Sequence, residues 1–171
     1  MLFNVISMDY ETKPKKKLTP AQGLIKAQQS CAYQERCQQE MRDKLYEWGL
    51  YSEAVENIIS DLITTNFLNE ERFAKTYAGG KFRIKKWGRV KIKIELKKRN
   101  ISVYCIKKAM EELNDKDYIK TLKQLIAKKS KEIKGGKPQV RKYKLAQYAA
   151  SRGFEQDLIW DILKEEETGI C

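Results

Sequence analysis

The side chains with the clearest chemical capacity are the lysines and arginines in the middle of the chain. Residues 81–100 hold ten basic side chains and one acid, Glu95. A run this one-sided repels itself unless it meets an anionic partner, so it predicts binding to a polyanion, an acidic protein surface or an anionic membrane. The ten side chains are Lys81, Arg83, Lys85, Lys86, Arg89, Lys91, Lys93, Lys97, Lys98 and Arg99.

A second basic stretch follows at residues 120–144, where ten lysines and arginines accompany a single acid, Glu132. By contrast, residues 21–66 hold four basic residues and seven acids, and the last helical segment is acidic. The net charge of +12 is therefore concentrated in one block, which favours a nucleic acid or a nucleoprotein surface as partner over a solvated lysine-rich face. The candidate contact residues of this stretch are Lys128, Lys129, Lys137, Arg141, Lys142 and Lys144.

Aromatic residues interleave with both basic stretches and give partial support to a nucleic-acid partner. Bases can stack on exposed aromatic rings. Aromatic residues at helical spacing more often belong to a core, however, and Trp48 and Trp160 lie on apolar faces where a core position is expected. The rings in question are Phe82, Trp87, Tyr143 and Tyr148.

Catalytic, metal and membrane functions find little support in the sequence. The chain has no histidine, its four cysteines form no Cys-x-x-Cys pair, and it has no glycine-rich phosphate loop. Carboxylates at helical spacing, such as Asp43 with Glu47, are typical of solvated helix faces. No apolar window is long enough to cross a bilayer, and the N-terminus does not resemble a signal peptide. We therefore expect a cytoplasmic monomer that is not an enzyme and needs no cofactor or metal; a hydrolase or nuclease is the least favoured alternative.

Helical patterns repeat three times along the chain and must position these side chains. Gly49, Asn100 and Gly153, which tolerate a left-handed helix end, stand about 50 residues apart, and apolar residues recur at the same offsets around each. This predicts an all-α fold of three tandem three-helix, helix-turn-helix-like repeats in an elongated, curved array. The expected divisions are a flexible basic tail (1–18), repeats at 19–66, 67–114 and 115–167, and a C-terminal tail (168–171).

One segment of the middle repeat allows two interpretations by itself. Residues 90–97 alternate apolar and charged side chains, which is the pattern of a β-strand. No second strand is available to pair with it, and the repeat register aligns it with helices, so a helix with Ile92 and Leu96 inward is predicted. The pair Gly79 and Gly80 is expected to interrupt or bend the preceding helix.

Four segments of the chain together resemble the RecX family, the bacterial regulators of the RecA recombinase. They are residues 40–50, 67–77, 88–101 and 148–163, and the most specific is Asn69 to Ala74, NEERFA. The sequence departs from the family at Gly79 and Gly80, and at Asn100, where the family usually has glycine. The residues that carry the resemblance are Leu45, Gly49, Phe67, Glu71, Arg72, Phe73, Tyr77, Gly88, Leu96, Gly153 and Phe154.

The resemblance implies an all-helical molecule that lodges in the groove of a RecA filament on single-stranded DNA. There it would block strand exchange and ATP turnover or promote filament disassembly. The basic residues of the second and third repeats would meet DNA phosphates or acidic RecA surface, and the sequence does not choose between them. The alternative is a free-standing basic helical module that binds DNA without RecA.

Overall fold

The computed structural model describes residues 17–133 and 135–168, so the two predicted tails lie almost wholly outside the described residues. Over these ranges the chain forms nine α-helices and no strand, which confirms the all-α prediction. The helices are α1 (Pro20–Tyr33), α2 (Gln38–Glu47), α3 (Ser52–Thr64), α4 (Glu70–Lys85), α5 (Arg89–Lys97), α6 (Val103–Glu111), α7 (Asp115–Glu132), α8 (Pro138–Ser151) and α9 (Gln156–Thr168).

The repeat anchors adopt the conformation that was predicted for them. Gly49, Asn100 and Gly153 have φ angles of 82°, 57° and 89°, in the left-handed region that ends a helix. The chain therefore reverses at equivalent places after α2, α5 and α8. The helices fall into three triplets, α1–α3, α4–α6 and α7–α9, as expected of a helical repeat array; the residue numbers given above for the repeat boundaries stay a prediction.

The segment with the strand-like alternation is a helix. It forms α5, in which Ile92 and Leu96 are fully buried. The corresponding positions of α2 and α8, such as Leu45 and Ala149, are fully buried too, so the repeat register gave the correct structure where alternation alone did not.

Helix α4 is continuous from Glu70 to Lys85, so the expected interruption at Gly79 and Gly80 was wrong. Gly79 is buried, and a side chain there would meet the Arg83 guanidinium. Gly80 faces open space, with no atom within 4 Å of where a Cβ would stand. The packing of α4 against α6 offsets the roughly 1 kcal/mol that each helical glycine costs.

The buried side chains form two separate cores. The first triplet has a core of its own, which includes Met41, Leu45 and Ile59. The second and third triplets share one continuous core, in which Leu96 of α5 and Leu122 of α7 are buried together. Two thirds of the array is therefore a single packed body.

Polar side chains join the first triplet to the second. Arg72 Nε lies 2.6 Å from Glu35 Oε1, and Arg99 Nε lies 3.2 Å from Glu40 Oε1. Cys37, at the start of α2, adds an apolar contact by inserting into the shared core of the other two triplets. This joint therefore combines partly exposed ion pairs with one buried apolar contact.

Backbone contact joins the second triplet to the third. The Gly88 N–H donates to the Arg152 carbonyl at 2.9 Å, and the Val90 N–H donates to the Gly153 carbonyl at 3.0 Å. The start of α5 thus docks on the end of α8. A Cβ at Gly88 would overlap the Gly153 carbonyl group, so only glycine permits this approach.

An aromatic cluster beside that contact centres on Tyr118, which is fully buried. Its ring lies 5.7 Å from that of Phe82 and 5.0 Å from that of Phe154. Its hydroxyl accepts from the Arg89 N–H at 2.8 Å and donates to Glu155 Oε2 at 2.6 Å. Residues of the second and third triplets therefore both contact the Tyr118 side chain.

Candidate interaction surface

The predicted basic residues differ in how free their charges are. Arg89 contacts Asp115, the Leu113 carbonyl and the face of Tyr118. Arg89 therefore lies in the joint between the second and third triplets. Arg99, which pairs with Glu40, lies in the joint between the first and second triplets. The more exposed members of the predicted set are Arg83, Lys85, Lys86, Lys93, Lys97, Lys98, Lys128, Lys137 and Lys144.

Several other basic residues, among them the predicted Lys81, Lys91 and Lys129, lie against aromatic rings of the chain itself. The Lys91 and Lys81 ammonium groups lie 4.8 and 5.3 Å from the centroid of the Trp87 ring. Lys129 and Arg152 approach the Tyr148 ring at 5.1 and 5.3 Å. These cation–π contacts occupy ring faces on which a base would stack.

The other aromatic residues offer few additional platforms for bases. Phe82 is buried in the shared core of the second and third triplets, and Trp160 is partly buried against that core, whereas Trp48 is partly buried against the core of the first triplet. Tyr143 is exposed and meets Trp160 edge-on, with ring centroids 5.5 Å apart. The structure thus favours structural roles for most of these aromatic residues.

The residues that carry the family resemblance are mainly structural. Arg72 pairs with Glu35 and also donates to the Asn66 carbonyl at 3.0 Å, which fixes the connection between α3 and α4. Glu71 pairs with Lys75 at 2.9 Å on the surface of α4. Apolar motif positions such as Phe73 and Phe154 are buried, and Phe67 and Tyr77 are packed against the cores.

A basic groove of about 390 Å³ lies where the end of α4 faces α7 and α8. Its lining includes four cationic residues and no acidic residue. Among the described residues, no carboxylate lies within ion-pair distance of the Lys85, Lys86 or Lys128 ammonium groups. The lining residues are Ile84, Lys85, Lys86, Thr121, Gln124, Leu125, Lys128, Tyr148 and Arg152.

A second groove of about 320 Å³ lies on the other side of α4 and shares Ile84 and Lys85 with the basic groove. Its lining mixes charges, with Arg36 and Lys81 on one hand and Glu35 on the other. We refer to it as the mixed groove. The C-terminal end of α4 is therefore a ridge with a groove on either side, and Ile84 stands on it with 77% of its surface exposed.

Lys86, at the edge of the basic groove, has an unusual backbone conformation. It ends α4 with φ 53° and ψ 44°, in the left-handed region. The other described non-glycine residues with positive φ are Asn66 and Asn100, and asparagine tolerates this conformation better than lysine does. Strain held at one position is a feature of functional sites.

Replacing Lys86 by glycine is expected to raise the free energy of unfolding by about 1 kcal/mol, because glycine adopts the left-handed conformation without steric cost. The measurement is urea denaturation of the variant beside Lys85→Gly, which lies in a right-handed helical turn and is expected to lose stability by a similar amount. A loss of stability in Lys86→Gly would show that the lysine side chain stabilises the fold.

The described residues contain no group of three or more His, Cys, Asp or Glu side chains able to hold a metal ion. Burial raises the pKa of Cys31 to about 11, so this thiol is protonated at neutral pH and is a poor nucleophile or ligand. In the same part of the chain, no helix is long and apolar enough to cross a lipid bilayer.

The fold brings some of the predicted contact residues together and leaves others apart. Lys85, Lys86 and Lys128 lie in one groove, whereas Lys93 and Lys97 lie exposed on α5 outside both grooves. The sequence did not point to three other residues of the groove linings, Ile84, Gly80 and Arg152. An apolar residue followed by a lysine pair near a helix end was the available signal for Ile84, but it also fits a core position.

Comparison with known proteins gives consistent matches. Two family models match the chain: "RecX, second three-helix domain" at residues 69–110 and "RecX, third three-helix domain" at residues 115–163. The regulatory protein RecX of Clostridium acetobutylicum is 31% identical over 134 residues, covering 76% of this chain and 62% of that protein. The chain therefore spans about three fifths of that relative's length.

Other relatives are matched over more of their length. The regulatory protein RecX of Prosthecochloris aestuarii is 29% identical over 131 residues, covering 77% of this chain and 84% of that protein. Among solved structures, RecX from Lactobacillus salivarius superposes with a TM-score of 0.77 at 23% identity, covering 87% of this chain and 97% of that one. The structural likeness supports the helical repeat fold.

Proposed function

The chain belongs to the RecX family of regulatory proteins, and from that premise we propose that it binds the filament that RecA forms on single-stranded DNA and inhibits strand exchange and ATP turnover. It would act as a regulator in DNA repair and recombination, in the cytoplasm and without catalysis of its own. The observation that carries the proposal is the basic block, which the fold presents on the second and third helix triplets. An array of this kind suits an extended nucleoprotein surface.

The proposed contact residues are the basic side chains whose charges are most exposed. They include Lys93 and Lys97 on α5 and Lys137 and Lys144 on α8, together with the lysines of the basic groove. Arg89 and Arg99 are proposed to act indirectly, by holding the triplets in the arrangement that presents these charges. The acidic first triplet would face basic parts of RecA or solvent.

The proposal is tested by RecA-dependent strand exchange on single-stranded DNA with the protein titrated in. We expect inhibition that saturates with protein concentration and a parallel decrease in ATP turnover. Heat-denatured protein at the same concentrations serves as the control for nonspecific effects. Unchanged strand exchange at saturating protein would contradict the proposal.

A second candidate is a free-standing DNA-binding module, favoured by the exposed lysines that have no carboxylate neighbour. It predicts tight and steeply salt-dependent DNA binding in the absence of RecA, because each neutralised phosphate releases counterions. The two candidates separate in a variant with Lys91, Lys93 and Lys97 changed to glutamate. If that variant keeps its DNA affinity but no longer inhibits RecA, DNA binding alone does not explain the activity.

A further inference from the structure

We propose that the ridge at the end of α4, with the grooves on both sides, docks an acidic segment of a partner protein that carries an apolar anchor residue. The inference deepens the proposed function, because it assigns this part of the basic block to protein rather than to DNA. Ile84 would contact the anchor, and Lys85, Lys86, Lys128 and Arg152 would face the acidic side chains around it.

Ile84 is an exposed apolar residue at the centre of this surface. It is 77% exposed and lines both grooves, whereas its neighbour Phe82 is buried in the core. An exposed apolar residue at the centre of a charged surface is the arrangement of a protein interface, in which an apolar centre is surrounded by a polar rim. A phosphate backbone offers nothing for such a residue to bury.

The aromatic residues of the grooves are already covered by cations of the chain itself. Nucleic-acid grooves of this kind combine cations with open aromatic platforms. Here the Tyr148 ring of the basic groove already lies beneath Lys129 and Arg152, and the Tyr77 ring of the mixed groove lies beneath Lys81 and Arg99. The apolar surface left at the ridge is aliphatic, from Ile84 and from Leu125 in the basic groove.

Charge complementarity favours an acidic segment. The basic groove has no acidic residue in its lining. The mixed groove has acids of its own: Arg36 pairs with Glu40 at 3.8 Å, and Arg36 Nε and Glu35 Oε2 are both buried without a hydrogen-bond partner. The carboxylates of a bound segment would therefore face the lysines of the basic groove, where no acid competes with them.

The backbone of α4 is accessible at Gly80. Gly80 lines the mixed groove one turn before Ile84, and no atom lies within 4 Å of its missing Cβ position. A bound helix can therefore approach α4 closely at this point. Together with the strain at Lys86, this makes the end of α4 a surface shaped for contact rather than for stability.

The test uses the full chain and three fluorescein-labelled probes: an acidic peptide with leucines on one helical face, the same peptide with serine at each leucine, and an oligothymidylate of matched net charge. Binding is measured by fluorescence anisotropy. We expect the leucine peptide to bind about tenfold more tightly than the serine peptide, since burial of an apolar side chain contributes on that scale.

Ile84→Ser is expected to remove the preference for leucine and to leave oligothymidylate binding unchanged. The double variant Lys85→Gln with Lys128→Gln is expected to weaken both peptides by about tenfold. The control is the double variant Lys107→Gln with Lys116→Gln, which removes the same charge from exposed positions outside both grooves. It is expected to change the affinity for neither peptide. Unaltered urea midpoints would show that each variant is folded.

Two results would overturn the inference. One is equal binding of the leucine and serine peptides to the unmodified protein. The other is tighter binding of oligothymidylate than of the leucine peptide, with a loss of that affinity in the Lys85 and Lys128 variant, which would assign the groove to nucleic acid. RecA is absent from the peptide assay, so the two hypotheses can fail separately. If the protein binds the leucine peptide but does not inhibit RecA in strand exchange, the proposed function is contradicted and the docking surface is not.

Discussion

Replacing Gly88 by alanine is expected to lower the free energy of unfolding by roughly 2–3 kcal/mol, the upper part of the range of about 1–3 kcal/mol for overpacking a tightly fitted contact. The added methyl group would overlap the carbonyl group of Gly153, and backbone atoms cannot turn aside as a flexible side chain can. The two backbone hydrogen bonds between α5 and α8 would lengthen or break as a result. Urea denaturation, followed by the fluorescence of the adjacent Trp87, measures the effect.

Gly80→Ala is the matched control for this prediction, because it also adds one methyl group to a glycine, here at a position inside helix α4. No atom lies near the missing Cβ of Gly80, so the methyl group meets no steric barrier. The variant is expected to gain about 1 kcal/mol from the higher helix propensity of alanine. A loss in Gly88→Ala of less than about 0.5 kcal/mol would mean that the joint between α5 and α8 adjusts freely.

Replacing Tyr118 by phenylalanine is expected to cost about 2 kcal/mol, although the two rings have the same shape. The Arg89 N–H would lose its acceptor, and the Glu155 carboxylate would lose its donor, each in a partly buried position. Leaving such groups unpaired costs about 1–3 kcal/mol. The measurement is urea denaturation, and Tyr143→Phe, at an exposed hydroxyl, is the control, with a change near zero expected.

The pH dependence of stability provides an independent check on Tyr118. Burial, followed by the hydrogen bond to Glu155, raises the pKa of its phenol above the ordinary value of 10. The folded state therefore holds this proton more firmly than the unfolded state, and the stabilisation is complete below pH 10 and is lost as the pH rises above it. Tyr118→Phe is expected to lose less stability across that alkaline range than the unmodified protein.

The repeat register predicted the fold well because it depends on local patterns that recur. Gly49, Asn100 and Gly153 end helices in the same conformation, and the apolar residues around them are buried in all three triplets. The continuity of α4 through Gly79 and Gly80 was not predictable in this way. Its cause is tertiary packing against α6, which propensity does not include.

The interaction surface was less accessible to sequence reasoning. Charge patterning identified Lys85 and Lys128, but they are far apart in the sequence and only the fold places them in one groove. The same patterning could not separate Arg89, which lies in a joint, from lysines that face solvent. The exposure of Ile84 was hidden too, because an isoleucine in a helix is normally assigned to a core.

Because the first triplet has its own core, the salt concentration affects its contact with the other two triplets separately from the folding of any triplet. Mobile ions weaken the Arg72 to Glu35 and Arg99 to Glu40 pairs, which are partly exposed, whereas apolar cores respond far less to them. Added salt is therefore expected to loosen the contact of the first triplet with the second, while the shared core of the second and third triplets stays packed. Guanidinium chloride is itself a salt, so it weakens the ion pairs of that joint and the apolar cores together. Urea is uncharged and does not screen the ion pairs.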